Sequence, residues 1–250
     1  MRLLKALTAV LALITAGCSY AAAAEGVPAQ PNILLIVADD MGYTDLGSFG
    51  GEIHTPNLNR LAQQGIRLTN FHTLPTCAPT RAVLLTGTDN HIAGLGSQLN
   101  SHKQNGQPGY EGHLNERVVT AAEVLGAAGY RTYMSGKWHL GHAAEQWPAK
   151  RGFQETFALL PGGAGHFNDA VALHPAEPVE YTRNGKAVEQ LPDNFYSTRS
   201  YTDYLVSWLE RDADASAPFF AYLAYTAPHD PLHAPQAYID KYKGRYDAGY

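Results

Sequence analysis

Residues 77–81 read Cys77-Ala78-Pro79-Thr80-Arg81. Pro79 suits the first turn of a helix through Ala82-Val83-Leu84-Leu85, with Gly87 to end it. Cys77 is then expected just outside a helix N-terminus, where backbone N–H groups and the helix dipole favour an anion. Arg81, one turn in, can reach back towards Cys77. Its forked, permanently charged donor suits a tetrahedral oxyanion such as sulfate or phosphate. The segment therefore describes an anion site with a reactive side chain at its mouth, fit for a thiolate nucleophile. A buried, inert thiol is the competing reading. Asp39-Asp40 is the second chemical cluster. Adjacent carboxylates make hard oxygen ligands for Ca²⁺ or Mg²⁺. Without a cation they repel and one pKa rises, and the bland alternative is a solvated turn or a helix N-cap.

Elements of alternating type must position these groups. Ile33 to Ala38 is a continuous apolar run, suited to a strand buried on both faces, and it ends at Asp39-Asp40. Thr55-Pro56 opens a short helix that stops at Gly65, and Ile66 to Phe71 alternates loosely as a second strand. Residues 88–116, rich in Gly, Asn, Ser and His, read as a long functional loop. Val118 to Ala128 is expected to be a helix, and Tyr130 to Ser135 a strand leading into Gly136-Lys137-Trp138-His139. Residues 144–198 read as irregular, with many Pro, Gly and Asn turns. Tyr201 to Arg211 is an amphipathic helix with Tyr201, Tyr204, Leu205, Trp208 and Leu209 on its core face. Phe219 to Tyr225 is a buried-type strand followed by Ala227-Pro228-His229. The alternation predicts an α/β fold with a mostly parallel sheet. Three apolar strands then end in polar residues: Asp39-Asp40, Lys137 with His139, and His229. Ligands in open α/β sheets sit outside the carboxyl ends of strands, so the three clusters can share one rim.

The composition agrees with a globular domain. The 250 residues are 45% hydrophobic and 16% charged, which excludes a disordered chain. A net charge of -5 with no Lys/Arg block argues against a nucleic-acid partner. The two cysteines, Cys18 and Cys77, exclude a disulfide-rich scaffold. The N-terminus carries basic Arg2 and Lys5, then an apolar run from Ala6 to Ala16, of signal-peptide rather than membrane-spanning length. Ala22-Ala23-Ala24 fits cleavage before Glu25, making residues 1–24 a signal peptide. Ile14-Thr15-Ala16-Gly17-Cys18 is an imperfect lipobox, which would put a lipid on Cys18 as a membrane anchor. The expected location is the periplasm, lipid-anchored or free, or the medium. Cleavage leaves Cys77 as the one cysteine in an oxidising compartment, where an unpaired thiol calls for a reason.

Cys77 to Arg81, continuing Ala82-Val83-Leu84-Leu85-Thr86-Gly87, resembles the signature of the type I sulfatases, formylglycine-dependent members of the alkaline-phosphatase-like superfamily. Asn32 to Gly42, Thr55-Pro56-Asn57-Leu58, Gly136 to Gly141 and Ala227-Pro228-His229 match in the same order. The likeness spans residues 30–250 and is closest to bacterial arylsulfatases, through Thr88 to Gly94. It implies an alkaline-phosphatase/sulfatase-like sheet flanked by helices, with residues 25–250 as the N-terminal portion of the catalytic domain. It also implies conversion of Cys77 to formylglycine by a maturation enzyme, a bound Ca²⁺ ion and a small-molecule sulfate ester as substrate. Asp39, Asp40 and Cys77 would touch the metal. The hydrate of the converted Cys77 would attack sulfur with one hydroxyl and expel sulfate through the other. Arg81 would hold the hydrate, Lys137 would bind sulfate and the nucleophile, and His139 would be the base. His229 would contact sulfate and protonate the leaving group.

The remaining histidines, His54, His72, His102, His113, His142, His166 and His174, carry surface or structural expectations, while His91 and His233 are candidates to line the pocket. Sulfatases that resemble this chain are about twice as long, and add an Asp-Asn-Gly ligand pair and a further lysine. Asp193-Asn194 precedes His229, follows a Pro turn and lacks the Gly, so it is not that pair. The expectation is an N-terminal portion whose sheet is incomplete at the C-terminus, with an unpaired apolar edge. Two alternatives stand beside sulfate ester hydrolysis: a phosphonate or phosphate ester hydrolase of the same superfamily, and a truncated non-catalytic pseudoenzyme.

Overall fold

A computed structural model describes residues 30–98, 104, 106–173 and 178–245. The expected signal peptide, Cys18, His102 and His174 lie outside the described residues. Among the described residues no helix is long and apolar enough to cross a membrane.

Six strands form one sheet in the order β1-β6-β2-β3-β4-β5. They are β1 (Ile33–Asp39), β2 (Arg131–Lys137), β3 (Glu155–Leu159), β4 (Tyr181–Arg183), β5 (Lys186–Ala187) and β6 (Phe219–Pro228). The first four positions, β1-β6-β2-β3, are parallel, and β4 and β5 close the far side as antiparallel strands. The sheet is thus mostly parallel, as the alternation of strands and helices predicts. Its β1 edge has no neighbouring strand among the described residues, and Leu34 and Ile36 stay half exposed there.

The central strands are buried on both faces, and alternate residues along them supply two cores. On one face Met134, Phe220, Tyr222 and Ala224 pack with Ala78, Ala82 and Leu85 of helix α2 (Cys77–Thr86). Helix α3 (Ala121–Ala127) adds Ala122 to that face. It opens with a capping box, the Thr120 hydroxyl accepting from the Glu123 N–H while the Glu123 carboxylate accepts from the Thr120 N–H. On the other face Tyr133, Phe157, Ala221 and Leu223 pack against Tyr201, Leu205 and Trp208 of helix α4 (Ser197–Arg211). The aromatic face of that helix is therefore core, as its 3.6-residue spacing predicts. Two more helices, α1 (Pro56–Gln64) and α5 (Gln236–Tyr242), contribute no buried residues.

Three expectations are corrected. Residues 66–71 form no strand: Ile66, Leu68 and Phe71 are exposed and have no ladder to join. Residues 144–198 are not wholly irregular, because they contain β3, β4 and β5. These strands are only two to five residues long, too short for a period to show. Helix α2 begins at Cys77, so the cysteine lies in its first turn rather than just outside it. Pro79 is accommodated there because the first N–H groups of a helix have no intrahelical acceptor to lose.

Candidate active site

Strand order explains the meeting of the three polar clusters. β6 lies between β1 and β2, so their carboxyl ends are consecutive along one rim. Asp39 ends β1, Lys137 ends β2 and His229 follows β6. Helix α2 then brings Cys77 and Arg81 to the same rim. A cavity of about 250 Å³ is lined by Asp39, Asp40, Thr76, Cys77, Thr80 and Arg81, among others.

Two buried cations share one carboxylate. Lys137 Nζ donates to Asp39 Oδ2 at 2.5 Å, and Arg81 Nη2 lies 3.5 Å from Asp39 Oδ1. All three side chains are nearly or fully buried. Arg81 Nη1 donates to the Lys137 carbonyl at 3.0 Å and to the Tyr222 hydroxyl at 3.1 Å. Its Nη2 makes no hydrogen bond among the described residues. Burial works against the Arg81 charge, but Tyr222, Asp39 and Cys77 outweigh it and the guanidinium pKa is raised. Burial likewise raises Tyr222, keeping its hydroxyl neutral, against the pull of Arg81.

The nucleophile candidate faces a neutral base. Cys77 Sγ lies 3.2 Å from His139 Nδ1. Burial, reinforced by the charges of Lys137 and Arg81, holds His139 well below its ordinary pKa of 6.5. Gln98 Nε2 donates to the same sulfur at 3.3 Å. His229 Nε2 lies 3.7 Å from Asp40 Oδ2. The backbone is forced at two of these residues: Asp40 has φ 62° and His139 φ 56°. Left-handed backbone at non-glycine residues costs about 1–3 kcal/mol and concentrates at functional sites. Gly162 lies over His139, and a Cβ there would stand 2.8 Å from the imidazole Cε1.

A family model for sulfatases matches residues 31–250. The chain belongs to the sulfatase family. It is 46% identical to an arylsulfatase of Klebsiella aerogenes over 248 residues, which is 98% of this chain and 52% of that one. An uncharacterized sulfatase of Schizosaccharomyces pombe is 51% identical over 234 residues, covering 88% of this chain and 42% of its own. The solved structure of Ps i-CgsB in complex with k-i-k-neocarrahexaose superposes with a TM-score of 0.69 at 30% identity, over 87% of this chain and 49% of that one. BT4656 in complex with its substrate D-glucosamine-2-N,6-O-disulfate gives a TM-score of 0.64 at 26% identity, over 85% of this chain and 37% of its own. The chain thus spans about half the length of the curated relatives it matches.

Every residue that the sulfatase signature singles out lies at this rim, Asp39, Asp40, Cys77, Arg81, Lys137, His139 and His229 alike. Of the two further candidates, His91 lines an adjoining cleft with Pro79 and Gln98. His233 packs instead against the rings of His166 and Phe167. Sequence reasoning missed Tyr222, Gln98 and Gly162. Tyr222 sits inside an apolar strand and reads as core. Gln98 lies in a loop without period, and Gly162 belongs to a Gly-Gly pair that reads as a turn. His166, set aside as surface or structural, is buried beside the site.

Asp39 and Asp40 offer carboxylate oxygens, the donor type that calcium takes six to eight of. Among the described residues no group of three or more His, Cys, Asp or Glu side chains could hold a metal ion. The residues present therefore fit a hard cation in kind and supply part of its shell.

Proposed function

We propose that this chain forms the nucleophile-bearing part of a site that hydrolyses sulfate esters, aryl sulfates among them, through formylglycine made from Cys77. The observation that carries the reading is Cys77 at a helix N-terminus, beside neutral His139 and the under-bonded Nη2 of buried Arg81. Converted Cys77 would supply an aldehyde hydrate, with one hydroxyl to attack sulfur and a second through which sulfate can be expelled. Calcium, held by Asp39, Asp40 and the converted Cys77, would supply positive charge for the sulfuryl oxygens. Lys137 binds and orients the sulfate group, and Arg81, fixed by the Lys137 carbonyl and the Tyr222 hydroxyl, holds the hydrate of converted Cys77. His139 accepts a proton at Nδ1, the atom facing the nucleophile. His229, with hydrogens on both ring nitrogens, delivers the Nε2 proton to the leaving oxygen and is left as the neutral ring protonated at Nδ1. Its Nδ1 lies 2.7 Å from the Asp230 carbonyl, which can only accept, so Nε2 is the atom left to face the site.

The names of the relatives favour sulfate over phosphate, and the preserved first part of the site speaks against a pseudoenzyme. A maturation enzyme acting on Cys77 and export through residues 1–24 belong to the same proposal and rest on sequence alone. The deciding experiment uses the full-length protein from its native cells. Peptide mass spectrometry over Leu68–Arg81 should show an aldehyde at residue 77, and 4-nitrophenyl sulfate should turn over faster than 4-nitrophenyl phosphate. Cys77→Ala should abolish both activities. An intact thiol, or equal rates in the variant and the parent protein, refutes the reading.

A further inference from the structure

We propose that buried His166, braced by Ser197, is a positioning residue that fixes His229 for proton delivery. The inference rests on the role given to His229 above and adds residues that role does not include. His166 is 2% exposed and Ser197 1%. His166 Nε2 lies 3.5 Å from the His229 carbonyl oxygen, and its Nδ1 lies 2.6 Å from Ser197 Oγ. A carbonyl only accepts, so Nε2 carries the hydrogen. Burial lowers the His166 pKa, with His233 and His229 as the titratable groups acting on it. The neutral ring then has a bare Nδ1, and the Ser197 hydroxyl must donate to it. One polarity runs through the chain, from Ser197 O–H to His166 and from His166 N–H to the His229 carbonyl.

Both ends of this chain are anchored. Ser197 is the first residue of α4, and its backbone N–H donates to the His166 carbonyl at 2.9 Å. The carbonyl after His229 is also engaged, because His229 Nδ1 donates to Asp230 O. Two successive carbonyls are therefore held, one from behind by His166 and one by the His229 ring itself. The same segment passes close to the ring: a Cβ added to Gly163 would stand 3.4 Å from His229 Cε1. Leucine could fill the His166 site without burying polar atoms, which cost free energy unless bonded. Imidazole adds a directed donor onto one carbonyl, and satisfied buried networks of this kind specify a single geometry.

The test uses the full-length matured enzyme with two aryl sulfates. Phenyl sulfate needs its departing oxygen protonated, whereas 4-nitrophenyl sulfate leaves readily without help. His166→Leu should lower kcat/KM on phenyl sulfate about tenfold more than on 4-nitrophenyl sulfate, a part of the ~10²–10⁴-fold that general acid catalysis contributes. His166→Gln, whose amide replaces the Nε2 donor, should restore most of the ratio. Ser197→Ala, which deletes one hydroxyl, should move it the same way as leucine and by less. Equal losses on both substrates, as from a merely structural role, overturn the proposal, as does no loss. NMR of nitrogen-labelled histidine gives a readout apart from turnover. In its neutral form, the state left after proton delivery, His229 of the parent protein should be one tautomer with Nδ1 protonated, and His166→Leu should broaden it into a mixture. A single unchanged tautomer overturns the proposal even if the parent protein proves inactive, and inactivity equal to that of Cys77→Ala would instead refute the sulfatase mechanism.

Discussion

Replacing Asp39 by asparagine removes the one carboxylate that lies between Lys137 and Arg81. Lys137 Nζ is 2.5 Å and Arg81 Nη2 3.5 Å from its oxygens, and the Lys137 side chain is fully buried. Neither cation can turn to water, so Asp39→Asn leaves two like charges facing each other in a dry site. Breaking a buried ion pair costs about 3–5 kcal/mol. For a domain of this size that corresponds to a fall in melting temperature of roughly 6–20 °C. Asp40 is the control, since its side chain is 66% exposed. Asp40→Asn should change stability by no more than about 0.5 kcal/mol. The assay is thermal unfolding in chelator, so that no divalent cation contributes, with and without inorganic sulfate. An anion that binds only the folded state stabilises it by about 2.7 kcal/mol at a hundred times its dissociation constant. Sulfate should therefore recover more of the loss in Asp39→Asn than it adds to the parent protein. Equal melting temperatures for the two variants would refute the claim that Asp39 neutralises the cations while Asp40 does not.

Gly162→Ala places a methyl 2.8 Å from the His139 ring. The ring must shift, and a displacement of about 1 Å in a catalytic group can cost 10²-fold in rate; steady-state kinetics should show the loss in kcat with the melting temperature lowered by a few degrees at most. Acid stability follows from the two depressed histidines, His139 and His166. In the fold both stay neutral at the ordinary pKa of 6.5, while the unfolded chain takes up protons there. Their contribution is complete above pH 6.5 and is lost as pH falls through the folded values, so melting curves taken at decreasing pH should show a falling midpoint, with a shallower slope in His166→Gln.

The rim was legible before any coordinate because its residues end elements whose patterns are loud. Ile33 to Ala38 and Phe219 to Tyr225 are unbroken apolar runs, and both are strands, although β6 extends to Pro228. The strand at β2 begins at Arg131 and carries through to Lys137, two residues beyond the apolar pattern, because the ladder with β3 continues to Lys137 opposite Leu159. Gly136 permits the close approach of β6 on the other side, where a Cβ would stand 1.9 Å from the Ala224 carbonyl oxygen. Residues 66–71 misled because loose alternation resembles a strand whether or not a neighbour exists to pair with it. The supporting residues of the site were hidden for a different reason. Tyr222 and His166 act through tertiary partners, Arg81 across 141 positions and His229 across 63, and no local period reports a contact of that separation.

The place of β6 sets an order of events. It is the last of the six strands along the chain yet lies between the first two. β1 and β2 therefore cannot join the same sheet until residues 219–228 are made. At about 5–20 residues per second, the ribosome needs roughly 8–30 s to pass from Cys77 to Pro228. During that interval the segment around Cys77 has no closed rim above it, and neither Lys137 nor Arg81 has its final surroundings. The maturation enzyme proposed above for Cys77 would have those seconds in which to reach the segment before β6 is inserted.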